Sequence, residues 1–99
     1  MYLVTITIKT EKIAKEDEAD LLRRHRAWFT DQFDKGNFLI VGPYKDKGMA
    51  GIAIAKVEDR TTLDKILSQD AYYPDDATYD VSEFQANLIA DHLLDCKGQ

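Results

Sequence analysis

The sequence predicts an α+β domain, an antiparallel sheet with two helices on one face, in the order β-α-β-β-α-β. Three observations lead there. Tyr2, Val4, Ile6 and Ile8 alternate with Leu3, Thr5 and Thr7 in a β-branched run of period two. From about Asp17 to Lys35 there is no Gly or Pro, and Leu21, Leu22, Trp28, Phe29 and Phe33 recur at helical spacing. Two further short strands, a shorter helix and a last strand then follow, separated by turn-forming residues.

Each element has its own signals. Lys9 to Lys15 is a polar connection. Asp17, Glu18 and Asp20 suit the positive end of the first helix, and Gly36 is a natural C-cap. Phe38-Leu39-Ile40-Val41 is a buried strand ended by Gly42-Pro43, and Tyr44 to Gly48 forms a polar hairpin loop. Gly51 to Val57 is the third strand, with Ile52 and Ile54 on one face and Ala53 and Ala55 on the other. Asp59 caps a short helix through Ser68, whose inward stripe is Leu63, Ile66 and Leu67. The fourth strand begins near Thr78 and takes in Val81 and Phe84. The tail from Leu88 to Gln99 suits either a short amphipathic helix or a frayed end.

A chain of 99 residues fits one domain, with its core over about residues 2–87 and a tail over about 88–99. The third strand is apolar on both faces, yet two helices cover only one face of a sheet. A second copy of the chain is the simplest cover for the other, so a homodimer through sheet faces is expected. A net charge of −5 disfavours nucleic acid as a partner, because phosphate binding needs clustered Lys and Arg. The one dense basic patch, Arg23, Arg24 and Arg26, has Asp17, Glu18, Asp20 and Asp31 close by and suits a solvated helix face. Apolar runs are too short to cross a bilayer, and the N-terminal residues lack the pattern of a signal peptide. With Cys96 as the single cysteine, the expected location is the reducing cytoplasm.

At 100° per residue, His25 falls within the arc of Leu21, Trp28, Phe29 and Phe33, and Gln32 shares it. A histidine facing the core needs a hydrogen-bond partner, because an unpaired buried polar group costs about 1–3 kcal/mol. A backbone carbonyl or a half-exposed position would satisfy it. So would a carboxylate, and the loop after the second helix offers Asp70, Asp75 and Asp76 among Tyr72, Tyr73 and Pro74. Those acids alone equally fit solvated turn formers. A metal site is not expected, since Cys96 has no companion cysteine and His92 is far from His25 in sequence. No glycine-rich nucleotide-binding pattern occurs, and no cofactor is implied.

Several segments together resemble the YciI-like (YCII-related) family. They are the helical His25, Gly36-Asn37-Phe38-Leu39-Ile40-Val41-Gly42-Pro43, the small-residue strand Met49 to Ile54, Gln69-Asp70-Ala71-Tyr72, and Tyr79-Asp80-Val81. The resemblance spans about Tyr2 to Phe84. It implies a ferredoxin-like sandwich that dimerises through its sheets into a dimeric α+β barrel, and a pocket centred on a His–Asp pair, matched here by His25 and Asp70. It also implies acid/base chemistry, of lyase, isomerase or dehydrochlorinase type, on small ring-derived phenols or lactones without cofactor or metal. The chain departs from the family at Ala71, where a proline is common. The acidic loop through Asp75 and Asp76 is a second departure, and is expected to disfavour an anionic substrate near Asp70.

On this reading Asp70 fixes the tautomer of His25, whose other ring nitrogen moves a proton on the ligand. Gly42 and Pro43 shape the pocket mouth, and Trp28, Phe38, Tyr44, Tyr72 and Tyr73 supply its apolar walls. Two other readings stand beside it. One is a non-catalytic small-molecule-binding or accessory module, and the other is a purely structural dimer, since this topology hosts many unrelated functions.

Overall fold

A computed structural model describes residues 1–99. The strands are β1 (Tyr2–Ile8), β2 (Phe38–Pro43), β3 (Ala50–Ala55) and β4 (Ala77–Glu83), and the helices are α1 (Glu18–Asp34) and α2 (Arg60–Leu67). They form one sheet in the order β2-β3-β1-β4, with every neighbouring pair antiparallel. With this chain order the topology is ferredoxin-like. Strand β1 is central, so Val4 sits between Ala53 and Val81, and Ile6 between Gly51 and Tyr79.

The period-two pattern decides which face is buried. Tyr2, Val4 and Ile6 of β1 and Ala53 and Ala55 of β3 are buried with Leu63, Ile66 and Leu67 of α2 in one core. The helices are tied to each other by Trp28, whose indole N–H donates to the Ile66 carbonyl at 3.0 Å. Asp59 caps α2 as expected, its carboxylate accepting from the Thr62 backbone N–H at 2.8 Å. Helix α1 ends in a Schellman arrangement: the Gly36 N–H donates to Phe33 O and the Asn37 N–H to Gln32 O, both at 3.0 Å. Gly36 takes φ of +81° there, a value that suits glycine.

The inward arc of α1 differs from expectation at its C-terminal end. Phe33 is exposed, and Gln32 is buried in its stead. Gln32 tolerates burial because its side-chain oxygen accepts from the Asn37 amide at 2.8 Å, which also anchors the start of β2. Strand β2 carries a register shift between Phe38 and Ile40, so Leu39 is the extra residue of a bulge. The polar connection after β1 contains 3-10 turns at Thr10–Lys12 and Lys15–Asp17. Beyond β4, the Phe84 N–H donates to the Met1 carbonyl at 2.9 Å. The tail then has only a short 3-10 turn, Leu93–Cys96, and Leu88 is 97% exposed. No helix is long and apolar enough to cross a membrane.

Leu63 is fully buried at the centre of the helix-to-sheet core. Leu63→Ala is therefore expected to lower unfolding free energy by about 2–5 kcal/mol in urea titrations. An unchanged midpoint would contradict this packing.

Candidate functional site

His25 lies in the third turn of α1, and Asp70 lies just past α2, in a turn held by its own backbone. The Asp70 N–H donates to Leu67 O and the Tyr73 N–H donates to Asp70 O, both at 3.1 Å. These bonds hold the turn through Ala71. Because the two helices lie side by side, the turn delivers the Asp70 carboxylate to α1. His25 Nδ1 is 2.6 Å from Asp70 Oδ1, and both residues are buried.

The second carboxylate oxygen is also engaged. The Tyr79 hydroxyl, from β4, donates to Asp70 Oδ2 at 2.5 Å. An ionised carboxylate buried in apolar surroundings needs such donors, and here one comes from the helix and one from the sheet. Since the carboxylate accepts, the hydrogen on Nδ1 points at Asp70, and in the neutral ring Nε2 carries the free lone pair. Nε2 has no protein partner, yet no sealed, unsatisfied side-chain nitrogen or oxygen exists in the molecule. It therefore has access to the cavity that His25 lines.

Packing holds the imidazole in place. Its centroid is 4.7 Å from that of Phe29 and 5.0 Å from that of Tyr72, both edge-on, and 5.9 Å from Trp28 in a stacked arrangement. Burial first, and then the Asp70 carboxylate as acceptor and neighbouring charge, pushes the Tyr79 hydroxyl far above its ordinary value of 10.0. Tyr79 is thus a fixed donor to Asp70 throughout the neutral range. Burial, followed by the charge of Asp70, also raises the Tyr72 hydroxyl.

The cavity beside His25 holds about 520 Å³, the size of a small-molecule site. It opens where α1 crosses the end of the sheet near the β2–β3 hairpin. Leu22, His25, Arg26, Phe29 and Thr30 line it from α1, at the i, i+3, i+4, i+7, i+8 spacing of one helix face. Gly42, Pro43 and Gly51 line it from the paired strands. A Cβ on Gly51 would stand 3.1 Å from the Gly42 carbonyl, so glycine permits the close approach of β2 and β3 at this wall.

The predicted residues separate into three groups. His25 and Asp70 are in contact, and Gly42, Pro43 and Tyr44 line the cavity with His25. Trp28, Phe38 and Tyr72 are core residues behind the imidazole and do not line the cavity, a correction to their expected place in its walls. Their large rings are the stacked support of α1 against the sheet. Tyr73 is likewise displaced: it is exposed and rests against Tyr79, with ring centroids 5.5 Å apart. Asp75 and Asp76 also lie outside the lining.

Sequence reasoning missed Tyr79 and Arg26. The available signal for Tyr79 was its place in the Ala77, Tyr79, Val81 alternation, the inward set of β4. For Arg26 it was the helix-face spacing with Leu22 and Thr30.

Tyr79→Phe leaves one oxygen of a buried carboxylate without its donor. Loss of about 1–3 kcal/mol of stability is expected, measured by denaturant unfolding at neutral pH. The raised hydroxyl has a second consequence. Below about pH 10 Tyr79 is protonated in both folded and unfolded chains and contributes no slope. As pH rises above that value the unfolded chain releases the proton and the folded one retains it, so stability falls. Asp70, Tyr73 and Asp76 are the neighbours that bias this group. Thermal unfolding between pH 9 and 11 is expected to show a shallower alkaline decline in Tyr79→Phe, and an identical decline would contradict the assignment (about two pH units spanning the ordinary tyrosine value).

Comparison with known proteins adds the family. No curated protein matches the chain. The profile of the YCII-related domain matches residues 1–85, which contain the sheet, both helices, His25, Asp70 and Tyr79. The chain belongs to the YCII-related family.

Proposed function

We propose that this protein is a cofactor-independent acid/base enzyme, of lyase or isomerase type, acting on a small ring-derived compound such as a phenol, lactone or enol. One observation carries the reading: His25 Nδ1 is tied to Asp70 while Nε2 stays open to a cavity of small-molecule size. In this scheme Nε2 takes a proton from a carbon beside a carbonyl, or from a phenolic oxygen. It then returns it elsewhere on the ligand, or the electron pair left behind expels a leaving group such as chloride. Asp70 sets the tautomer and stabilises the imidazolium that forms, Tyr79 orients Asp70, and the apolar lining limits water.

The functional unit is proposed to be a homodimer in the cytoplasm. Ile40, Leu39 and Phe84 are exposed near the face of the sheet opposite the helices, and Leu88, Ile89 and Leu94 of the tail are exposed beyond them. A second cavity of about 590 Å³ lies there, bounded by Met1, Leu39, Ile40, Ile54 and the tail from Phe84 to Leu93. Apolar surface of this extent on a small chain favours a partner copy.

His25→Ala is expected to lower kcat by about 10²–10⁴-fold on a substrate found by screening phenols, lactones and enols, with little change in fold by circular dichroism. Full activity in that variant would remove the acid/base role, and saturable binding without turnover across the panel would favour a binding module. Light scattering on the full chain is expected to give twice the 11.3 kDa chain mass, and Leu88→Asp with Leu94→Asp to shift it toward monomer. A monomeric wild type would contradict the dimer.

A further inference from the structure

The cavity beside His25 has a charge opposite to that of the chain around it. The protein carries 18 acidic residues and a net charge of −5, yet none of the 15 residues lining this cavity is Asp or Glu. Arg26 and Lys47 are among them. Of the arginines, Arg23 and Arg24 bond to Asp20 and Arg60 bonds to Asp64, whereas Arg26 is in no ion pair. Lys47 is also in no ion pair, but its ammonium stands 4.5 Å over the Tyr44 ring, whose hydroxyl is 3.3 Å from Thr5 Oγ1 on the other face of the sheet, so Arg26 is the free cation beside His25. Asp75 and Asp76, the acids expected to repel an anion, do not line the cavity.

We infer that the ligand of this cavity is a small organic carboxylate, with Arg26 binding its carboxylate group and the apolar lining holding its carbon skeleton against His25. This rests on the acid/base reading for its reaction, but not for its binding. Arg26 follows His25 directly on α1, so a carboxylate held at the guanidinium places the adjoining carbons near the imidazole. A planar guanidinium matches a carboxylate in bidentate fashion. The Thr30 hydroxyl already donates to the Arg26 carbonyl at 3.1 Å, and the rest of the lining is largely aliphatic and aromatic.

The test uses the full chain and two probes of like shape, benzoate and benzamide, in titrations followed by ¹H–¹⁵N correlation spectra. Benzoate is expected to bind saturably, to shift the amides of Thr30 and Gly51, and to bind about tenfold more tightly than benzamide. Arg26→Gln should erase that preference, while Arg23→Gln, whose parent side chain pairs with Asp20, should keep it. A carboxylate preference with no turnover of any compound defeats the acid/base reading alone. The inference is overturned if benzoate does not saturate, if it binds no better than benzamide, or if the preference survives Arg26→Gln or disappears in Arg23→Gln.

Discussion

A carboxylate with almost no solvent exposure sits at the meeting point of both helices and the sheet. Asp70 is 4% exposed, and an unpaired charge at such a place is costly enough to unfold a domain of this size. Its two oxygens instead accept from His25 on α1 and from Tyr79 on β4. The position of the turn after α2, the crossing of the helices and the pairing of β4 with β1 must all be right together for both bonds to form. The Trp28 indole bond to Ile66 fixes the helix pair that brings His25 and Asp70 within reach.

That constraint determines what the imidazole can do. With Nδ1 engaged and the ring held between Phe29, Tyr72 and Trp28, only Nε2 is left for a ligand. Residues on the core side of the ring are large and buried, whereas those on the cavity side come from one face of α1, from Ile6 and Ile8 of β1, and from the glycine-lined ends of β2 and β3 with the loop between them. The same helix therefore carries a packing stripe and a cavity stripe side by side, with His25 belonging to both. Charge follows this division: the acids of α1 and α2 engage the outward-facing arginines, and the cavity stripe keeps an unpaired one.

The fold was legible because its signals are local. Alternation in β1, the unbroken helical run of α1, Gly36 and the Asp59 cap each specify an element without reference to the rest of the chain. His25 was legible for the same reason, since helical periodicity places it inward. The Phe33 position was misjudged because periodicity cannot say where a helix outruns the sheet beneath it, nor that Gln32 would be satisfied by Asn37. Asp70 stood out from its neighbouring acids only through the family resemblance, because which of Asp70, Asp75 and Asp76 meets the helix depends on a turn of a few backbone bonds. Tyr79 and Arg26 depend on tertiary placement. One completes a bond across the sheet, and the other is distinguished by the absence of a carboxylate partner, which no local pattern reveals. Of the aromatic residues expected as pocket walls, Tyr44 is in the cavity lining. Trp28, Phe38 and Tyr72 support the imidazole from the core rather than facing the ligand.

The tautomer of His25 is the most direct test of the site. Its ring nitrogens can be observed by ¹⁵N NMR of the full chain at a pH where the ring is neutral. The predicted result is a protonated Nδ1 and an unprotonated Nε2, with that distinction lost when Asp70 is changed to Asn. A ring protonated at Nε2, or one averaging freely between both forms in the wild-type chain, would contradict the Asp70-oriented imidazole on which the functional reading stands.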